Sequence, residues 1–250
     1  MNVIGEVEGK RCILIDDIVD YLPATIELTL VSLLAALLVS IPRGVLAAVR
    51  KNTVFDRLAT LASLMGISLP GFWFGLLLIL FFGVTLQVLP VSGRSELAID
   101  IVPVTHFLLI DTLLAGNLAA FRAALAHLVM PSLTLGLPMA AVLMRVTRTS
   151  MLEVLRQDYV TVAEAKGLHP RRVLYRHALK NALIPTVTVA ALEVGSLLGG
   201  SMIVETVFGW PGVGSYAIDA LTARDSAPAQ GFVLAMGILF VLLHLVVDGP

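Results

Sequence analysis

Long apolar stretches that alternate with short charged segments are the dominant pattern in this chain of 250 residues. A helix of about 20 apolar residues crosses the roughly 30 Å hydrocarbon core of a membrane and satisfies its backbone hydrogen bonds internally. Five stretches meet this requirement: residues 25–49, 58–93, 128–144, 182–204 and 231–247. The pattern therefore predicts an all-α protein, a polytopic transmembrane helical bundle with about five spans.

The second stretch is longer than one crossing requires, and Pro70 and Gly71 lie inside it in the segment SLPGFW. Proline removes a backbone hydrogen bond and clashes with the preceding helical turn. We therefore expect a kink or a break in the helix near residue 70.

Composition also indicates a membrane protein. Hydrophobic residues make up 58% and charged residues 14% of the chain, and the mean hydropathy is +0.93. A water-soluble domain usually carries about 25% charged residues. The single cysteine, Cys12, cannot form an intrachain disulfide bond.

Positively charged residues predict the orientation in the membrane. Lysines and arginines cluster around residues 43–57 and 145–180, and such clusters stay on the cytoplasmic side. The pattern predicts a multi-pass protein of a bacterial or archaeal cytoplasmic membrane, with the N-terminus of this chain outside and the C-terminus inside. Residues 1–24 then form an external N-terminal segment, and residues 25–250 form the transmembrane domain.

The external connection at residues 94–127 shows apolar residues at helical spacing, which fits either a capping loop or a contact with a substrate-delivering partner.

An unusually basic segment, AEAKGLHPRRVLYRHALKNALIP, occupies residues 163–185. From Arg148 the preceding apolar span becomes amphipathic, which indicates one helix that leaves the membrane and continues to Gly167. Gly167 suits a helix end that needs a positive φ, and Pro170 suits the first turn of a second helix. The predicted cytoplasmic loop, about residues 145–181, is therefore a helix–turn–helix projection. By spacing alone it is either a docking surface for a partner or a basic loop that sets orientation and touches lipid headgroups.

The loop carries a signature of small, basic and amide residues. Its members are Tyr159, Val160, Ala163, Ala165, Lys166, Gly167, Leu168, Arg176, His177, Asn181, Ala182, Leu183 and Pro185. Further characteristic segments are LPATIELTL near the start, HLVMPSLTLGLP before the loop and GGSMIVETVFGWPGVG after it. Together they resemble the membrane subunit of bacterial ATP-binding-cassette (ABC) importers, in the dipeptide and oligopeptide permease branch, of which nickel permeases are close relatives. Thr161 occupies the position at which the broader family carries an acid.

The resemblance implies the type I ABC importer permease fold, in which the cytoplasmic loop docks on a separate ATPase and couples its closure to alternating access. The implied coupling residues are Ala163, Ala165, Lys166, Gly167, Leu168, Arg176, His177, Asn181 and Pro185. The implied outer-gate residues are Glu205, Phe208, Pro211, Gly212 and Gly214. The implied partners are a homologous second permease subunit, cytoplasmic ABC ATPase subunits, an external solute-binding protein and the lipid bilayer, but no nucleic acid. Members of this branch usually have six spans, so we expect an extra N-terminal helix and a short Asp-Pro-Arg tail beyond the two ends of this sequence.

Candidate chemistry within the chain is sparse. The sequence has no phosphate-binding loop of the GxxxxGK[ST] type, so we expect ATP to bind only to the partner subunits. His169 and His177 have neither the spacing nor the carboxylates of a metal site, and we expect no metal or other cofactor. Glu193 lies in the middle of the fourth apolar stretch, where an ionisable group either lines a substrate pathway or bonds to a neighbouring helix.

The main hypothesis is a permease subunit for peptides, and an alternative within the same family is a nickel or other small-solute permease. Two alternatives come from other classes. An intramembrane enzyme is disfavoured because Glu193 has no second intramembrane carboxylate or histidine with which to form a catalytic pair. A self-contained secondary transporter is disfavoured because no half-repeat is evident in the sequence.

Overall fold

The computed structural model describes residues 3–95 and 103–248, and every regular element in these two ranges is a helix. The helices are α1 (Val3–Val49), α2 (Val54–Ser68), α3 (Gly71–Leu78, continued by a π-helix at Ile79–Thr85), α4 (Leu108–Leu114), α5 (Leu118–Val154), α6 (Asp158–Ala165), α7 (Pro170–Arg172, continued by a π-helix at Val173–Ala178), α8 (Leu179–Gly200), α9 (Met202–Val207), α10 (Val213–Thr222) and α11 (Ser226–Asp248). The all-α prediction is therefore confirmed.

Helices of membrane-spanning length lie where the apolar stretches predict them. Three described segments are long and apolar enough to cross a membrane, namely Ile18–Val49, Leu118–Val154 and Pro170–Gly199. A fourth results if α2 and the helix that follows it are taken as one broken span. The fifth predicted stretch corresponds to α11, whose apolar segment Ala229–Leu242 is shorter.

The predicted break near residue 70 is confirmed. Helix α2 ends at Ser68, and Leu69 has an extended backbone with φ −86° and ψ 131°. The residue before a proline is driven out of the helical region by a clash with the proline ring. A new helix then begins at Gly71.

Two helix boundaries differ from expectation. Helix α1 begins at Val3, so the helix that contains the first span continues upstream of residue 25. Helix α5 ends at Val154 and α6 begins only at Asp158, whereas the amphipathic pattern predicted one continuous helix to Gly167. That prediction of a continuous helix is wrong, because periodicity reports which face is apolar and does not show where the backbone turns.

The chain forms two compact units. Unit 1 comprises Met1–Ser32, Gly71–Leu135 and Val194–Pro250, and unit 2 comprises Leu33–Pro70 and Gly136–Glu193. The core of unit 1 includes Leu28, Leu128 and Trp210, each at most 1% exposed. In unit 2, Met151 and Ala182 are fully buried in one cluster.

Glycines set the helix spacing in unit 2. A Cβ atom on Gly44 of α1 would lie 2.8 Å from the Cβ of Thr147 and 2.9 Å from the carbonyl oxygen of Met144, both in α5. A Cβ on Gly66 of α2 would lie 3.3 Å from the Cβ of Ala141. Small residues allow helix backbones to approach closely where lipid supplies no hydrophobic driving force between helices.

An ion pair fixes the start of α2 against α5. Asp56 accepts hydrogen bonds from Arg148 at two positions, Nε to Oδ1 at 2.6 Å and Nη2 to Oδ2 at 2.9 Å. Its Oδ2 also accepts the backbone N–H of Asn52 at 3.0 Å, and the hydroxyl of Thr53 caps the helix. The paired geometry and the burial of Asp56 make this contact a structural anchor within unit 2.

The substitution Gly44→Ala tests this close approach. We expect it to lower the free energy of unfolding by about 1–3 kcal/mol, because the new methyl group cannot fit without a shift of α5. Gly237→Ala is the matched control, since a Cβ at that mid-helix position meets no atom within 4 Å. Thermal unfolding of the detergent-solubilised protein measures both, and equal stability of the two variants would contradict the packing described here.

Candidate functional site

The predicted cytoplasmic loop forms a compact elbow, defined here as residues 158–178, in which α6 and α7 are joined by a tight turn. Gly167 has φ +76°, a left-handed conformation that a residue with a Cβ rarely adopts. His169 precedes the second helix, and its Nδ1 accepts the backbone N–H of Arg171 at 3.3 Å. Pro170 is the first helical residue. The predicted stop at Gly167 and start at Pro170 are both confirmed.

The break before α6 reorients this helix within unit 2. The amides of Arg156 and Gln157 bond to carbonyl groups only three residues back, at 3.2 and 3.1 Å, which ends α5. Asp158 then begins α6, where a negative charge suits the positive end of the helix dipole. The turn brings one face of α6 onto the segment that follows Gly167.

The interior of the elbow is a small apolar cluster. Val160, Ala163 and Val173 are 2%, 7% and 2% exposed, and Leu155 and Leu168 pack against them. The methyl group of Ala163, a predicted coupling residue, therefore points into the elbow. A side chain in this position stabilises the projection and is not available to a partner.

The outer surface of the elbow carries other predicted coupling residues. Ala165, Lys166 and Gly167 are exposed. The elbow also exposes large apolar side chains, with Tyr159 at 41%, Val162 at 51% and Tyr175 at 61% exposure. Leu168 and His177 are half-buried, and Arg176, Asn181 and Pro185 are exposed. The exposed surface of the elbow thus combines these apolar side chains, called here its apolar patch, with basic residues.

Polar contacts and packing hold the elbow to the rest of unit 2. The amide Nδ2 of Asn181 donates to the hydroxyl of Tyr159 at 2.9 Å and to the carbonyl of His177 at 3.3 Å. The π-helix ends inside a second cluster, whose buried members are Val45, Ala48, Met151, Ala178 and Ala182. These residues belong to α1, α5, α8 and the elbow, so the elbow packs directly against three long helices.

A polar cluster lies in unit 1 and surrounds the carboxylate of Glu205, which is fully buried. Oε1 accepts the hydroxyls of Thr25 and Ser201, each at 2.9 Å, and Oε2 accepts the backbone N–H of Ser215 at 3.0 Å. A buried carboxylate is stable only when such donors replace water. Ser215 is the third residue of α10, so this carboxylate also lies at the positive end of that helix.

Thr25 connects α1 to the same helix start. Its hydroxyl donates to Glu205 and accepts the N–H of Val213 at 2.9 Å. A Cβ on Gly212 would lie 2.5 Å from the Thr25 hydroxyl, and one on Gly214 would lie 2.8 Å from Oε2 of Glu205. Both glycines of the GVG motif are therefore required, because a side chain at either position would enter the space that the Glu205 carboxylate and its partners occupy.

The remaining outer-gate residues have different environments. Phe208 is buried in the core of unit 1, and Pro211 is exposed. Trp210, between them, donates its indole N–H to the carbonyl of Ala24 at 3.0 Å. The predicted residues Glu205, Gly212 and Gly214 thus meet in one network, and sequence reasoning missed Thr25 and Trp210 as its members. Both lie in the segments LPATIELTL and GGSMIVETVFGWPGVG, whose proximity in space was the missing information.

A further anionic contact lies two residues beyond Thr25 on α1. Glu27 is 4% exposed, pairs with Arg94 at 2.5 Å and accepts the N–H of Leu109 near the start of α4 at 2.7 Å. In the connection that contains α4, burial would raise the pKa of Asp111, but hydrogen bonds from the hydroxyl and backbone of Thr105 and from neighbouring amides lower it from its ordinary value. Carboxylates therefore order the start of this connection.

Glu193 has a distinct environment within α8. It is half-buried, and its side chain forms no hydrogen bond or salt bridge with the residues at 3–95 and 103–248. The structural alternative, a hydrogen bond to a neighbouring helix, thus gains no support from the described part of the chain. Over the same ranges, no three His, Cys, Asp or Glu side chains come together as a metal site.

The apolar helices and their bonded polar clusters define a multi-pass membrane protein. Residues 40–249 match the inner membrane component of binding-protein-dependent transport systems, and the chain belongs to this family of transport permeases. It is 48% identical to the di/tripeptide transport system permease protein DppB of Pseudomonas aeruginosa, over 90% of this chain and 67% of that protein. It is 45% identical to the dipeptide transport system permease protein DppB of Escherichia coli, over 93% and 70% of the two chains. The peptide transport system permease protein SapB of Salmonella typhimurium is 37% identical, over 98% and 77%. The expected family is confirmed.

The Glu205 network makes a testable prediction for Thr25→Val, which keeps the side-chain shape and removes both of its hydrogen bonds. We expect a loss of about 1–3 kcal/mol in the free energy of unfolding, because the buried Glu205 carboxylate loses one of its donors and the amide of Val213 loses its side-chain acceptor. Thr206→Val is the control, since its exposed hydroxyl bonds only to the carbonyl of Met202 in its own helix. Denaturant unfolding in detergent distinguishes them, and a Thr25→Val variant as stable as the control would refute the role given to this network.

Proposed function

We propose that this chain is the membrane-spanning permease subunit of an ATP-driven importer for dipeptides or oligopeptides. The family assignment and the peptide-transport names of the relatives support this function. The observation that carries it is the elbow, which exposes its apolar patch and basic residues on a helix pair with a packed interior. A cytoplasmic ATPase would dock there, a homologous permease would complete the translocation path, and an external solute-binding protein would deliver the peptide.

The construction of the elbow supports a mechanical role. Its interior is closed by Val160, Ala163 and Val173, so the helix pair moves as one body. The cluster around Met151 and Ala182 joins it to α1, α5 and α8. A rigid projection packed on several helices transmits a rotation of a docked partner, whereas a mobile loop would absorb it. ATP would bind to the partner subunits, with the elbow on the cytoplasmic side, the N-terminus of this chain outside and the C-terminus inside.

A crosslinking experiment tests docking at the elbow. In a Cys12→Ser background, Ala165→Cys carries a photoactivatable maleimide, and Ala163→Cys is the matched control because its side chain is buried two residues away. We expect the label at position 165 to crosslink the cognate ATPase in membranes and the control to remain largely unlabelled. Peptide uptake into vesicles that contain the complete transporter is measured in parallel with Val162→Asp, which places a charge on the exposed apolar patch.

We expect Val162→Asp to abolish ATP-driven uptake while the protein still inserts and folds, since this side chain is half exposed. Absence of a crosslink together with normal uptake by Val162→Asp would rule out coupling through the elbow. If the wild-type transporter took up nickel and no peptides, the permease function proposed here would stand and its substrate would be nickel.

We further propose that Glu193 lines the translocation path. Its support is its place in the apolar helix α8 without a hydrogen bond to any described residue. A carboxylate that bonds a peptide amine contributes enough that Glu193→Gln should lower uptake at limiting peptide by roughly tenfold. Glu153→Gln is the control, because it makes the same chemical change at an exposed position of α5. Equal uptake by the two variants, at equal expression, would exclude Glu193 from the path.

A further inference from the structure

Unit 2 contains an open cavity of about 490 Å³ between α1, α2 and α5. Small side chains form much of its wall, among them Ser40, Ala59, Ala62, Ala140 and Ala141. The volume lies in the range of sites that hold a small molecule, about 300–1,000 Å³.

The cavity exists because close helix contacts flank a region of small side chains. Gly44 draws α1 against α5, and Gly66 draws α2 against α5. Between these contacts, small side chains line the cavity together with larger ones, such as Phe55, Leu137 and Met144. Leu58, which lines the cavity on α2, is 60% exposed, so the cavity opens at the surface of unit 2 beside this side chain.

Polarity changes along the cavity. Residues 39–43 lead toward the end of α1 that lies beside the basic cluster, and Arg43 lines the cavity there. Its guanidinium is exposed and has no hydrogen bond or salt bridge with the described residues. One turn earlier, the hydroxyl of Ser40 is buried and has no partner among those residues. Apart from Arg43, Ser40 and Ser63, every lining residue is apolar.

We propose that this cavity binds an anionic phospholipid from the cytoplasmic leaflet, with its phosphate on Arg43 and an acyl chain along the alanines. An unpaired arginine at the mouth of an apolar cavity matches a ligand with a negative head and a hydrocarbon tail. Basic pockets between transmembrane helices on the cytoplasmic side are a recurrent form of lipid site. The inference goes beyond the importer function and relies only on the orientation proposed above.

A second permease subunit fits the cavity less well than a lipid. A packed helix would cover the side opening, but it would have to bring an acid to Arg43 or leave a desolvated charge. A phospholipid supplies the negative charge and fills the space between the alanines in one molecule. Lateral entry past Leu58 needs no opening of the helix bundle.

Native mass spectrometry of the complete, delipidated transporter tests the site. The complex is titrated with phosphatidylglycerol and with phosphatidylcholine of identical acyl chains. We expect the wild type to bind one phosphatidylglycerol at least roughly fivefold more tightly, the effect of about one basic residue at a membrane surface. Arg43→Gln should abolish this preference and Arg43→Lys should retain most of it. Arg57→Gln should keep the preference, since this exposed base does not line the cavity.

A second arm tests the acyl-chain part of the site. Ala59→Leu should weaken binding of both lipids, because the larger side chain enters the cavity, whereas Ala119→Leu on the exposed start of α5 should leave both unchanged. Equal losses in Arg43→Gln and Arg57→Gln would reduce the effect to general surface charge and overturn the site. A crosslink from Ala62→Cys to the second permease subunit, without a bound lipid, would also overturn it. Neither result would affect the crosslink expected between the elbow and the ATPase.

Discussion

Every helix that begins within an apolar chain exposes backbone N–H groups that need an acceptor, and in the described structure buried carboxylates bond backbone N–H groups at two helix starts and in one turn between helices. Glu205 accepts the N–H of Ser215 in α10, Glu27 accepts that of Leu109 in α4, and Asp56 accepts that of Asn52 in the turn before α2. Each carboxylate also bonds a side chain from another helix or connection: Thr25, Arg94 and Arg148, respectively. A break in a helix is thus capped and crosslinked by the same anion. This arrangement lets a membrane protein contain interrupted helices without leaving their ends unsatisfied.

Glycine serves different physical requirements at different positions. Gly212 and Gly214 leave room for the Glu205 carboxylate, and Gly44 leaves room for a neighbouring backbone. Gly167 has open space around it and is required for its positive φ. A sequence motif therefore does not reveal why a position must be glycine, whereas the atoms that surround the glycine in the structure do.

The small residues of the elbow lie in two different environments. Ala163 closes the interior, where a larger side chain would separate the two helices, and Ala165 lies on the outside, where a partner can approach. Tyr159 is partly exposed and its hydroxyl is bonded to Asn181, so one side chain contributes to both the outer patch and the anchorage. The elbow thus combines a packed apolar interior with exposed apolar side chains on its surface.

The sequence by itself determined the helical class, the apolar spans, the break at Pro70 and the turn at Gly167, because each depends on local chemistry: hydropathy over one crossing, a missing N–H, or a positive φ. It also identified the family through short motifs. Only the tertiary structure decided that Thr25 and Glu205 bond across 180 residues of chain, that Ala163 faces inward, and that Arg43 lies at the mouth of a cavity. These features follow from contacts between distant segments, and a periodic pattern contains no information on which buried faces meet.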